Sequence, residues 1–231
     1  MGVQNYKKFQ NGYNLIVSED SDMNVEFGIL AMEKNKKVTV ESHENEIVVL
    51  LVQGNVEFII ENNSYLAKRS NCFDDLPSAL HVPRGCVFEI ISAAESECIV
   101  VKKRNSKKFP IKFYSTVTIQ TGTFGDGILN NTAKRDVRIV FDFFNAPYSK
   151  FVIGELVTYP GRWSSYPPHS HPHPEIYYYR FSKEQGFGCS IIGDEAYVVR
   201  DRSVALIKGG ENAPTHPQVA APGYAMYYCW I

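Results

Sequence analysis

Residues 161–179 gather most of the groups in this sequence that could do chemistry. The stretch reads Gly161-Arg-Trp-Ser-Ser-Tyr-Pro-Pro-His169-Ser-His171-Pro-His173-Pro-Glu175-Ile-Tyr-Tyr-Tyr179, with three histidines and a glutamate inside seven residues. The interleaved prolines stiffen the backbone and hold it extended. In an extended chain alternate side chains share a face, so His169, His171, His173 and Glu175 have the parity to converge. Neutral imidazole and carboxylate suit a divalent ion such as Zn, Mn, Fe or Ni. A further ligand must come from elsewhere, and in this half only His216 is left, in Ala213-Pro-Thr-His-Pro-Gln218. Three nitrogens and one oxygen would leave positions open for substrate or water, as catalytic metals require.

The elements that must carry these groups read as strands. Short apolar or alternating runs recur: Glu46-Ile-Val-Val-Leu-Leu-Val52, Val56-Glu-Phe-Ile-Ile60, Val87-Phe-Glu-Ile-Ile91, Cys98-Ile-Val-Val-Lys102, Val137-Arg-Ile-Val-Phe-Asp-Phe143 and Ile176-Tyr-Tyr-Tyr179. Each has strand length, and most end at Gly, Pro, Asn or Asp. The 14 Tyr and 14 Phe favour the same state, and no long amphipathic helical pattern interrupts it. The expectation is an all-β sandwich, jelly roll or barrel. With 231 residues, two domains of about 110 each fit comfortably. The charged stretch 102–110 is the expected linker, dividing 1–108 from 109–231. Glu46-Ile-Val-Val-Leu-Leu-Val-Gln-Gly54, following Ser42-His43, faintly echoes Glu175 and its histidine loop. No second histidine lies two residues from His43, so the first half is expected to be a degenerate, metal-free barrel.

Charge narrows the partners. A formal net charge of -1 offers no electrostatic footprint for nucleic acid or an acidic membrane. The N-terminus has no apolar signal core, and no run is long enough to span a bilayer. Five scattered cysteines, with no CxxC pair, point to a reduced cytoplasmic setting. A small molecule is the expected partner, in a homo-oligomer that covers open sheet edges.

The order His-x-His, then x3-Glu, then a distant His, resembles the metal signature of the cupins. The longer string is similar to the 5-deoxy-glucuronate isomerase family of myo-inositol catabolism. The matching pieces are Trp163-Ser-Ser-Tyr-Pro-Pro-His169-x-His171, Glu175-Ile-Tyr-Tyr-Tyr179, Gln185-Gly-Phe-Gly188, His216-Pro217 and Val219-Ala-Ala-Pro-Gly-Tyr224, with Leu76-Pro-Ser-Ala-Leu80 and Val82-Pro-Arg-Gly85 in the first half. The resemblance implies two tandem cupin (double-stranded β-helix, jelly-roll) barrels with the metal in the second. It implies His169, His171, Glu175 and His216 as ligands, zinc as the first metal to expect, and His173 left at the mouth. It differs in the longer approach Lys208-Gly-Gly-Glu-Asn-Ala-Pro-Thr-His216 and in ending near Trp230, so the chain is expected to be a short member.

The reaction so implied is an aldose–ketose isomerisation of 5-deoxy-glucuronate, or a similar sugar acid, through a metal-stabilised enediolate. Tyr177 and Tyr179 share parity with Glu175 and are candidates to relay protons, beside a metal-bound hydroxide. Arg162, Arg180 and Lys208 are the cations nearest in sequence for a substrate carboxylate, and Arg180 has the wrong parity to face inward. Two other readings use the same residues: another metal cupin enzyme such as an iron dioxygenase, and a non-catalytic sugar-sensing cupin.

Overall fold

The structure, a computed structural model, describes residues 2–231. Among these residues the regular structure is strand, apart from one short 3-10 turn at Leu129–Asn131. The all-β expectation holds, and no helix is long and apolar enough to cross a membrane.

The chain forms two compact units, but not the contiguous halves 1–108 and 109–231. One unit comprises Phe9–Ile119 with Val140–Val152; the other takes the N-terminal segment through Lys8, Gln120–Ile139 and Ile153–Ile231. Long-range pairing causes the exchange. Gly2–Asn5 adds an antiparallel strand to Ser203–Ile207, while Phe141, Tyr148 and Phe151 pack around His81. Nor is Lys102-Lys-Arg104 a linker: it ends the strand Ser96–Arg104, in register with Asn45, Glu46 and Ile47.

In the first unit a single 16-residue strand, Asn45–Ile60, takes the place of the two shorter runs read from the sequence. Its first part pairs with Ser96–Arg104 and Ala79–Val82. Its second part pairs with Asn63–Arg69 and Val87–Ser92. The register shifts between Leu51 and Gln53, and Gly54 has φ 120°. A Cβ on Gly54 would lie 2.6 Å from the Ser96 Cα, so only glycine fits this corner. Ile47, Val49, Leu51, Val56, Phe58 and Ile60 of this one strand all enter the core, with Leu80, Val82, Phe88 and Ile90.

The second unit is built from two antiparallel sheets. The larger runs in the order Gly2–Asn5, Ser203–Ile207, Glu175–Phe181, Met226–Trp230, Ile153–Thr158, Arg135–Phe141, Gln120–Phe124; the smaller in the order Trp163–Ser164, Gln218–Ala220, Phe187–Ile192, Glu195–Arg200. The core joins Leu156, Tyr177, Tyr179, Phe181, Met226 and Tyr228 of the larger sheet to Val199 and Ala220 of the smaller. Alternation along Glu175–Phe181 therefore sends Glu175, Tyr177 and Tyr179 to one face.

Candidate metal centre

Glu175 opens its strand, paired with Ile207 of the neighbouring strand, and its side chain is only 12% exposed. The proline-rich loop before it brings His169, His171 and His173 back over the carboxylate. His216 arrives from the smaller sheet, two residues ahead of the strand Gln218–Ala220, and is almost fully buried. Its approach is fixed by backbone bonds from the Ile191 N–H to the Pro217 carbonyl (3.0 Å) and from the Gly193 N–H to the Thr215 carbonyl (2.8 Å).

These side chains meet. The ligand atoms of His169, His171 and His216 lie within 4.8 Å of one another, as do those of His171, His173 and Glu175. The Glu175 Oε2 is 3.2 Å from the His216 Nε2, and its Oε1 is 3.3 Å from the His171 Nε2. The same Oε1 is 3.9 Å from the Nε2 of His173, the more exposed ring, which stacks on His171.

Two of the histidines are oriented by their own backbone. The His169 Nδ1 donates to the Pro167 carbonyl at 2.8 Å, and the His216 Nδ1 donates to the Pro214 carbonyl at 3.4 Å. A carbonyl only accepts, so each Nδ1 carries a proton, and Nε2 is the nitrogen left to ligate a metal. Orientation by an outer hydrogen bond is the usual arrangement of metal-ligating histidine. The His216 Nε2 is buried and has no hydrogen-bond partner, although Glu175 is so near. The donor set of imidazole nitrogens and a carboxylate, with a buried ring nitrogen aimed at it and otherwise orphaned, fits a divalent metal.

Charge agrees with that. Burial alone would raise the Glu175 pKa, but the nearby His216 imidazole and the Tyr177 hydroxyl outweigh it and hold the carboxyl below its ordinary value. Burial pushes the His171 pKa down against the pull of Glu175, and the other three imidazoles push it further. Glu175 is thus favoured as a carboxylate and His171 as a neutral ring, the forms that bind metal.

Tyr177 and Tyr179, alike in parity, have different surroundings. The Tyr177 hydroxyl donates to the Glu175 Oε2 at 2.6 Å. Tyr179 is one pleat deeper: its hydroxyl donates to the Gln218 Oε1 at 2.7 Å, and the Gln218 Nε2 donates to the His216 carbonyl at 2.8 Å. Tyr177 touches the site, whereas Tyr179 braces it through Gln218. Burial first, and then the Glu175 charge, raises the Tyr177 pKa far above the ordinary phenol value. Two residues that the spacing did not single out complete the layer. Tyr228 stacks on Tyr177 with centroids 4.6 Å apart, and the Ser165 Oγ lies 3.4 Å and 3.3 Å from the two hydroxyls.

The approach to His216 also supports the histidine loop. The Gly210 N–H bonds the Pro172 carbonyl at 2.9 Å. A Cβ on Gly209 would stand 2.4 Å from the His173 carbonyl carbon and 2.5 Å from the Pro174 nitrogen. The cations named from sequence do not gather here. Arg180 is paired with Asp201 at 2.8 Å, Lys208 is exposed and Arg162 half-buried.

In the first unit the echo residues are dispersed. His43 is exposed, with φ 46°, beside Glu41. Glu46 is fully buried, its Oε2 3.2 Å from the His81 Nε2 and its Oε1 accepting the Lys150 N–H at 2.6 Å. Ile47, Val49, Leu80 and Val82 fill the barrel core, so Glu46 and His81 lie on the opposite face of their strands.

An all-antiparallel unit with histidines and a glutamate drawn together between two sheets defines a cupin-type protein, and the solved structures agree. The fold matches that of a cupin 2 conserved barrel domain protein from Leptotrichia buccalis over 99% of this chain and 91% of that one (TM-score 0.54, 15% identity). It matches an IolB-like protein from Salmonella typhimurium LT2 over 100% and 91% (TM-score 0.85, 20% identity). The chain belongs to the KduI/IolB family, whose model matches residues 3–231. Among curated relatives, a 5-deoxy-glucuronate isomerase of Geobacillus thermodenitrificans is 27% identical over 222 residues, 88% of this chain and 78% of the relative. One of Bacillus subtilis is 24% identical over 240 residues, 94% and 86%.

Proposed function

We propose that the protein is an aldose–ketose isomerase of inositol catabolism, acting on 5-deoxy-glucuronate or a closely similar sugar acid, with a divalent metal held by His169, His171, Glu175 and His216. The observation that carries the metal is the buried Nε2 of His216, which stands 3.2 Å from the Glu175 carboxylate without a hydrogen-bond partner. Family membership and the named relatives support the reaction. His173, more exposed and farther from Glu175, is left at the mouth.

Isomerisation moves a proton between neighbouring carbons through an enediol of the sugar. A divalent ion bound here supplies Lewis-acid polarisation of a carbonyl. The protein's own residues do the rest. His169 and His216 arrive pre-oriented, so no ring has to turn when substrate binds. Tyr177 stays a neutral phenol and fixes the Glu175 carboxylate by donating to Oε2. Ser165, within reach of the Tyr177 and Tyr228 hydroxyls, completes a hydroxyl chain along which a proton can be passed. Tyr179 positions His216 through Gln218.

The test is metal content of the purified protein together with isomerisation of 5-deoxy-glucuronate, in wild type and in His169→Ala, His171→Ala and His216→Ala. Near-stoichiometric metal, lost along with turnover in the variants, is the expected result. Full metal with oxygen uptake and no isomerisation would favour an oxygenase. Full metal with no turnover would favour a sugar sensor, and a metal-free wild type after loading would end the metal proposal.

A further inference from the structure

We propose that Arg135 anchors the carboxylate of the sugar acid, at the end of the molecule remote from the reacting carbons. This rests on the sugar-acid reading above. Arg135 is the first residue of the strand Arg135–Phe141. It shares parity with Val137, which packs against the core of Tyr177, Tyr179 and Tyr228, so its side chain leaves the strand on the face that lines this barrel. Asp136 and Arg138 leave on the other face, towards Thr123 and Tyr159 and towards Glu155.

What makes Arg135 unusual is its lack of an acid. Among the described residues, its side chain makes one hydrogen bond, from Nη1 to the Ala133 carbonyl at 2.9 Å, and no ion pair. Its Nε is buried with no partner. The nearby carboxylates are occupied elsewhere: Asp126 by Lys134, and Asp136 by Thr123 and Tyr159. The guanidinium lies 5.9 Å from the ring centroid of Phe124, its cross-strand neighbour. Phe124 is half-exposed and Arg135 half-buried, so the group can be reached from solvent.

The cation is also tied to the layer beneath the metal centre. Burial raises the Tyr228 phenol, to about 12, and the positive charge of Arg135 works against that rise. Tyr228 stacks on Tyr177, which holds Glu175. Arg135 and the histidine–glutamate cluster thus meet one row of hydroxyls, Arg135 at its Tyr228 end and Glu175 at its Tyr177 end, with Ser165 between. Such an arrangement suits a ligand with a carbonyl at one end and a carboxylate at the other. A guanidinium bound to the protein through only one of its nitrogens keeps donors for a carboxylate, which its planar fork matches better than any other side chain. Of the cations nearer in sequence, Arg180 is already paired with Asp201 and Lys208 is exposed.

The experiment compares wild type, Arg135→Gln and Arg135→Lys, all loaded with metal. In thermal unfolding, D-glucuronate should raise the wild-type Tm and D-glucose, which differs only at C6, should not. Arg135→Gln should lose the glucuronate shift at unchanged metal content, and Arg135→Lys, with charge but no fork, should keep part of it. With 5-deoxy-glucuronate, Arg135→Gln should raise KM about 10- to 100-fold, the usual effect of losing a charge-assisted hydrogen bond, and change kcat far less. An equal wild-type response to both sugars, or an undiminished glucuronate shift in the variants, overturns the anchor. If Arg135→Gln fails to fold, Arg135→Lys decides by the same criterion. Should the wild type bind glucuronate selectively but isomerise nothing, the isomerase reading falls and the thermal shift still decides on Arg135.

Discussion

The His216 Nε2 and the Glu175 Oε2 stand 3.2 Å apart, shielded from water, with no hydrogen bond aligned between them. The other carboxylate oxygen, Oε1, lies 3.3 Å from the His171 Nε2. Left without a cation, a buried nitrogen and a carboxylate in this relation carry an unmet desolvation cost. Replacing either by a group that cannot ligate should weaken metal binding by at least about 10- to 100-fold, the loss already typical when only an outer partner is removed. His216→Ala and Glu175→Gln should therefore emerge from dialysis with little metal, measured by elemental mass spectrometry. His173→Ala should retain its metal within about twofold, because that ring is the more exposed and lies farther from Glu175 than those of His171 and His216.

Tyr177 and Tyr179 should separate function from stability. Tyr177→Phe removes the donor to Glu175 and should lower kcat/KM by about 10- to 100-fold, equivalent to one hydrogen bond to a charged group, with metal retained. Tyr179→Phe leaves the Gln218 Oε1 buried without its donor. It should cost about 1–3 kcal/mol, read as a lower urea midpoint at unchanged slope, with a smaller effect on turnover.

Gly209 should be irreplaceable for the metal and not for the fold. A Cβ there meets main-chain atoms of His173 and Pro174, which cannot swing aside as a side-chain tip could. Gly209→Ala should push the histidine loop outward and weaken metal binding about tenfold or more, since ligand geometry is lost. The far-UV circular dichroism should be unchanged. Tight metal binding in Gly209→Ala would mean that the loop adapts freely.

His81 makes stability depend on pH in the first unit. It is fully buried, and its pKa is lowered by that burial, which Glu46 only partly offsets. A histidine whose folded pKa lies below the unfolded value of about 6.5 binds its proton preferentially in the unfolded chain. Its contribution to stability is complete above about pH 6.5 and is lost as pH falls below that towards the folded value. The slope should approach but not exceed about 1.4 kcal/mol per pH unit. Urea titrations between pH 7.5 and 5.5 (about the histidine range) should show it, and His81→Gln should flatten it. An equal slope in the variant would assign the effect to other groups.

Much of the candidate metal centre was legible because its signal is local. Proline-spaced histidines two residues apart, with Glu175 four beyond His171, fix ligand types and parity before any tertiary contact forms. Strand type was equally plain, since alternation and turn residues act within a few positions. The sequence by itself thus determined an all-β chain and the residues able to face a metal. Tertiary structure decided the rest, because those properties depend on partners far along the chain. Which nitrogen of His216 is free depends on the Pro214 carbonyl and on the smaller sheet that seats it. Tyr177 and Tyr179, identical by parity, part company because one pleat of depth exchanges Glu175 for Gln218 as the hydroxyl's acceptor. Arg135, some forty residues before Glu175, enters the same barrel wall only through strand pairing. The exchanged segments stayed hidden for the same reason: Gly2–Asn5 finds its place on Ser203–Ile207, a contact between nearly opposite ends of the chain whose stabilisation comes from closing a sheet edge.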